Sequence, residues 1–294
     1  MRRKNDLGRD PIGQLVLKIA LPSMLAQFVS VLYSIVDRMY IGHIPQVGDL
    51  ALAGVGVCGP VVTMIGSAAS LIGVGGAPLM SMRMGEGETE QARRILANCF
   101  LMLCVLSVAL MALLAPIREP MLMLFGASEA TFPFAGAYFS AYLCGTPFAL
   151  LATGMCQFII CQGFAGQAML SVVLGAVMNI ALDPVFIYVL DMGVTGAAVA
   201  TVISQVASCA FVLAFLLGKK PPMRITFSGY DLRVMRKVLL IGFTPFAIIA
   251  VDNVMIIAMN AVLKRYGGAA QGDMLLTCAT IAQSFMLVVT MPLG

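Results

Sequence analysis

Residues Ala130 to Leu182, ATFPFAGAYFSAYLCGTPFALLATGMCQFIICQGFAGQAMLSVVLGAVMNIAL, contain no charged side chain. A helix crosses the hydrocarbon core of a bilayer in about 20 mostly apolar residues, so this stretch is too long for one span. Gln162-Gly163 and Gly166-Gln167 supply the break, and the stretch reads as two crossings joined by a short loop. Working outward, the same criterion predicts helices near 14–42, 50–82, 94–116, 131–160, 168–190, 194–217, 236–264 and 273–294. Composition agrees. Only 11% of residues are charged and 60% are hydrophobic, with a mean hydropathy of +0.97. A soluble domain carries about a quarter charged residues, so bilayer is the solvent that fits.

Met1-Arg2-Arg3-Lys4 ahead of an apolar run imitates a signal peptide, but the run continues past Ile41 with no small-residue cleavage site and polar domain behind it. It reads as a retained first membrane helix. The eight cysteines sit in apolar runs or at their edges, without C-x-x-C pairs, and His43 is the single histidine. They read as small buried hydrophobes, not as a disulfide framework or a metal cluster.

Basic residues orient the spans. With a cytoplasmic N-terminus, Arg2, Arg3, Lys4, Arg9, Lys18, Arg83, Arg93, Arg94, Lys219, Lys220, Arg224, Arg233, Arg236 and Lys237 fall inside. Arg38, Arg118, Lys264 and Arg265 fall outside, a bias of fourteen to four. The longest polar stretch, Gly218 to Lys237 (GKKPPMRITFSGYDLRVMRK), reads as a cytoplasmic linker whose Pro221-Pro222 pair cannot continue a helix. The expected division is a six-helix lobe over 1–217, a linker over 218–235, and the start of a second lobe over 236–294.

A weak internal repeat supports that boundary. Setting Pro22 of KIALPSML against Pro245 of LIGFTPFA brings Asp37 opposite Asn260, each fifteen residues after its proline. Beyond them, YIGHIPQVGDLALAGV faces KRYGGAAQGDMLLTCA, with Asp49 near Asp273 after a one-residue shift. Doubled units of this kind are common in transporters. If each unit holds six helices, the second supplies only two here, and the sequence reads as a fragment of a longer protein.

Charges at mid-membrane depth cost about 2.5 kcal/mol or more each and usually mark function. Asp37, Asp183 and Asp252 qualify. Asp37 ends a stripe with Ser30, Tyr33 and Ser34 on one helical face, while Arg38 is rotated off that face and is expected to snorkel outward. Asn179 and Asp183 form an i, i+4 pair, and Pro184 leaves the Ile180 carbonyl without its usual donor. Thr201 follows the small-residue run GVTGAAVAT, which permits close helix contact. Two carboxylates, an amide oxygen and a hydroxyl suit a hard monovalent cation or a proton. They would equally satisfy one another between helices, and spacing does not decide between the two.

At these residues the sequence resembles the MATE (multidrug and toxic compound extrusion) transporters, in particular their MepA-like bacterial branch. The resemblance rests on PIGQLVLKIALPSMLAQFVSVLYSIVDRMYIG, MNIALDPVFIYVLDMGVTGAAVATVISQ and MNAVLKRYGGAAQGD. It implies an all-α polytopic fold of two parallel-repeat six-helix lobes, here incomplete. It also implies export of drugs driven by inward Na⁺ or H⁺ flow, with the cation-site roles falling on Asp37, Asn179, Asp183 and Thr201. Tyr33, Asp252 and Asn260 are possible additions. The loop CQGFAGQAM lacks the basic residues common there in relatives, which puts its usual cytoplasmic charge contacts in doubt.

The resulting expectation is a secondary active transporter in the plasma membrane, not an enzyme. It would be monomeric, would act on small amphipathic and often cationic drugs among membrane lipids, and would need no cofactor beyond the coupling ion and no nucleic acid. No G-x-x-x-x-G-K-[ST] phosphate loop is present, which excludes direct use of ATP at such a loop. The cluster Gly73-Val74-Gly75-Gly76, the 22 methionines, Tyr138 and Tyr142 read as packing. The alternatives are a lipid-linked saccharide flippase, whose phosphates would favour buried Lys or Arg, a non-transporting membrane protein, or a fragment inactive alone.

Overall fold

The computed structural model describes residues 12–290. Its helices are α1 (Ile12–Gly42), α2 (Gly48–Gly85), α3 (Thr89–Leu124), α4 (Phe132–Cys161), α5 (Ala165–Pro184), a π-turn (Val185–Val189), α6 (Gly193–Leu217) and α7 (Leu232–Thr290). No strand occurs among the described residues. Seven of the helices are long and apolar enough to cross a membrane. Leu113, Leu124, Val189 and Leu240 stay exposed on the outside of the bundle, as side chains bathed by lipid tails would.

The uncharged stretch folds as expected. α4 ends at Cys161, Gly163 takes a positive φ of 85°, and the Phe164 N–H closes the turn onto the Ile159 carbonyl at 3.1 Å. α5 starts directly after this glycine-led turn, at Ala165. At its far end Pro184 has no N–H to continue the ladder, and the chain relaxes into the π-turn. The Leu190 N–H bonds the Val185 carbonyl five residues back, at 2.9 Å.

α2 is the central helix and packs against α3, α4 and α7. Its small residues permit this. A β-carbon on Gly73 would meet the Gly154 carbonyl oxygen at 2.8 Å, and one on Gly76 would meet the Cys99 sulfur at 2.5 Å. The glycine cluster is thus a packing surface between helices, as read from sequence.

The last two expected helices form one continuous helical run, α7, of 59 residues. That run nevertheless doubles back. In a straight helix residues eight apart stand about 12 Å apart along the axis. Here a β-carbon on Gly272 would lie 3.5 Å from the Lys264 Cα and 3.3 Å from its carbonyl oxygen. The first half packs Val238 and Gly242 against Gly75 near the C-terminal end of α2. The second half returns Thr277 to the beginning of α2, where its hydroxyl donates to the Asp49 carbonyl at 3.3 Å. The fold is a six-helix bundle followed by a helical hairpin, and the hairpin repeats the reversal between α1 and α2.

Candidate functional site

α5 packs on both α1 and α6, and it joins the residues that the sequence singled out. Asp37 is 7% exposed, Asn179 1%, Asp183 0% and Thr201 9%, so all four are withdrawn from solvent. The Asn179 amide nitrogen donates to Asp183 Oδ1 at 3.0 Å and to Thr201 Oγ1 at 3.2 Å. The carboxyl groups of Asp37 and Asp183 lie within hydrogen-bonding reach of each other. One amide therefore orients a carboxylate and a hydroxyl from two helices, beside a second carboxylate from a third.

The π-turn helps to aim α5 at α1. Tyr188 donates its hydroxyl to the Tyr40 carbonyl at 2.7 Å, and the two rings meet edge to face with centroids 6.3 Å apart. This clamp lies three residues beyond Asp37 on one helix and five beyond Asp183 on the other. On the opposite side a β-carbon on Gly196 would meet the Phe186 carbonyl oxygen at 2.6 Å, so α6 approaches the π-turn closely only because that position is glycine.

Three oxygens in this cluster have no hydrogen-bond partner: Asp37 Oδ1, Asn179 Oδ1 and Asp183 Oδ2. An unsatisfied buried acceptor costs about 1–3 kcal/mol, and more if it is charged. A proton or a cation held between the two carboxyl groups would supply the partner that these carboxyl oxygens lack. Hard oxygen donors of this kind match a monovalent cation or a proton and offer nothing to a soft metal.

The site opens onto a cavity of about 550 Å³ lined by residues of α1, α2, α4, α5 and α6. Its polar lining is neutral: Ser30, Tyr33, Gln157, Asn179, Thr201 and Gln205 are among the hydroxyls and amides that face it. Tyr33, suggested by its place in the stripe, lines this cavity. Tyr142, expected only to pack, lines the cavity as well, as does Gln205. Gln205 escapes a reading of the sequence because one glutamine in an apolar helix carries no pattern.

Other candidates fall elsewhere. Asp252 is exposed on α7, and neighbouring Asn253 turns its amide onto the Ile249 carbonyl at 2.7 Å instead of pairing with it. Asn260 is buried, but beside Gly126 at the end of α3, away from the quartet. Arg38 does not simply reach for solvent. It donates to the Thr280 carbonyl in the second half of α7 at 3.2 Å.

Residues 22–185, more than half of the chain, match the MatE family profile. The chain belongs to the MatE family. Over its whole length it is 28% identical to the FAD transporter of Shewanella oneidensis, spanning 65% of that protein. Over 87% of its length it is 24% identical to the multidrug export protein MepA of Staphylococcus saprophyticus, spanning 56% of that protein. Among solved structures, the MATE multidrug transporter DinF-BH, captured in a complex, superposes with a TM-score of 0.91 at 32% identity, over 99% of this chain and 64% of that one. The chain spans less than two thirds of each. Against this family the MatE fold expected from the sequence, one six-helix bundle and the opening hairpin of a second, is the fold observed.

Proposed function

We propose that the chain is part of a secondary active exporter in which Na⁺ or H⁺ entering at Asp37, Asn179, Asp183 and Thr201 drives cargo outward by alternating access. Residues 1–217 would form one lobe, 218–235 the linker and 236–294 the beginning of the other, with the N-terminus cytoplasmic. The observation that carries the reading is a pair of buried, facing carboxyl groups, each with an oxygen that has no partner, held beside the Asn179 amide. A cation or proton arriving there relieves like-charge repulsion and supplies the missing partner, which favours closer packing of α1, α5 and α6.

The cavity beside this site would hold cargo. Among the described residues its lining contains no Lys or Arg, and the nearest acids are the cation-site pair. Amphipathic molecules that are neutral or positively charged fit that surface. The similarity to a FAD transporter raises a second cargo class, but a dinucleotide's phosphates would find no cation in this lining, and a lipid pyrophosphate would meet the same mismatch. Replacing Asp37 by Asn in the full-length protein should abolish ion-driven ethidium export while membrane insertion persists. Unchanged export would reject the mechanism.

A further inference from the structure

The polar segment between α6 and α7 is not a slack tether. Asn98 of α3 is fully buried, and both ends of its amide are engaged. Nδ2 donates to the Gly229 carbonyl at 3.1 Å and to the Arg94 carbonyl at 2.7 Å, while Oδ1 accepts the Asp231 N–H at 2.9 Å. Gln162, in the turn between α4 and α5, does the same further upstream. Its Oε1 accepts the Met223 N–H at 2.9 Å, and its Nε2 is anchored on the Phe158 carbonyl at 3.0 Å. Thus the turn that lacks basic residues holds the segment through a neutral amide.

Apolar contacts follow the same path. Met223 and Ile225 are buried, and Phe227 meets Phe100 edge to face with centroids 5.9 Å apart. Gly229 adopts a φ of 81° and lies directly on the stem of Arg94, where a β-carbon would come within 2.9 Å of Arg94 Cγ. Side-chain amides that pair with backbone groups of a passing segment fix its position and register, because loosening it would leave buried amide atoms unsatisfied.

We infer that Met223–Asp231 is a strap fixed to the first six-helix bundle by Asn98 and Gln162, so that movement between the bundles pivots at Asp231–Leu232, where α7 begins. The pivot rests on the alternating-access reading above; the strap does not. Asn98 and Gln162 are positioning residues in this scheme. They touch neither ion nor cargo, and they shorten the flexible joint from the whole polar segment to its last residues.

The test uses full-length protein in lipid nanodiscs, in a cysteine-depleted background, with spin labels at exposed Ser228 paired either with Leu124 on α3 or with Tyr266 on α7. Distances are measured with and without Na⁺, and in acidic and alkaline buffer. The Ser228–Leu124 distance should stay constant while Ser228–Tyr266 shifts. Asn98→Ala, and separately Gly229→Ala, which leaves the amide in place and strains only the strap, should broaden the first distance and raise amide exchange at Asp231 roughly tenfold. A Ser228–Leu124 distance that moves with the ion, or stays narrow in both variants, overturns the strap. Both distances fixed under every condition would overturn the pivot, and with it the transport reading, while the exchange data judge the strap alone.

Discussion

Asp37 of α1 and Asp183 of α5 present their carboxyl groups to each other across a helix boundary, within reach of a shared hydrogen bond and shielded from water. Two such acids repel when both are ionised, unless a proton or a metal cation comes between them. Asn179 fixes the geometry by holding Asp183 on one side and Thr201 on the other.

Binding of a guest ion should therefore stabilise the protein. At an ion concentration one hundred times its dissociation constant the gain is about 2.7 kcal/mol. The melting temperature of the full-length protein should rise with the coupling ion, and the rise should vanish in Asp37→Asn and in Asp183→Asn. Thermal unfolding followed across an ion titration checks this.

Thr201 contributes a hydroxyl that accepts from Asn179. Thr201→Ala removes that acceptor and leaves the amide half-anchored, at a cost of about 0.5–1.5 kcal/mol. The ion concentration for half-maximal efflux should rise several-fold, while Thr201→Ser should remain close to the parent. Transport assays in proteoliposomes over a range of ion concentrations separate the two.

Gln205 leaves its Oε1 without a partner beside the cavity. Gln205→Leu should weaken cargo binding several-fold, as loss of one hydrogen bond does, and leave the response to ion unchanged. Binding of a cationic dye, followed by fluorescence polarisation in the presence and absence of ion, measures both effects.

Gly75 of α2 and Gly242 of α7 allow the two helices to touch through their backbones; a β-carbon on Gly75 would lie 2.9 Å from the Gly242 nitrogen. Gly242→Ala directs a methyl group at the Leu71 carbonyl. Overpacking of this kind costs about 1–3 kcal/mol. The variant should melt lower and give less folded protein in detergent, as read by size-exclusion chromatography.

The bundle and the quartet were legible because a bilayer makes both conspicuous. Charge is so scarce between Ala130 and Leu182 that spans and their break stand out, and an acid inside a span is rare enough to notice. The i, i+4 spacing alone places Asn179 and Asp183 on one face. What stayed hidden depends on tertiary contact. Nothing in the neighbourhood of Asn98 or Gln162 shows that their amides grip a segment more than sixty residues away. Depth within a span likewise says nothing about direction: Asp183 turns into the bundle, whereas Asp252 turns to a face of α7 that residues 12–290 leave uncovered. Arg38 was expected to snorkel outward, but it reaches a partner on α7, a helix whose path the sequence does not trace.

The most direct test counts cations taken up by purified full-length protein, as radioactive Na⁺ retained at alkaline pH and as protons absorbed on acidification. A single site shared by Asp37 and Asp183 predicts that Na⁺ and protons compete, or that protons alone bind, and that either asparagine variant loses the uptake altogether. Uptake that survives in each single variant would mean that the two acids serve separate guests, contradicting the shared site.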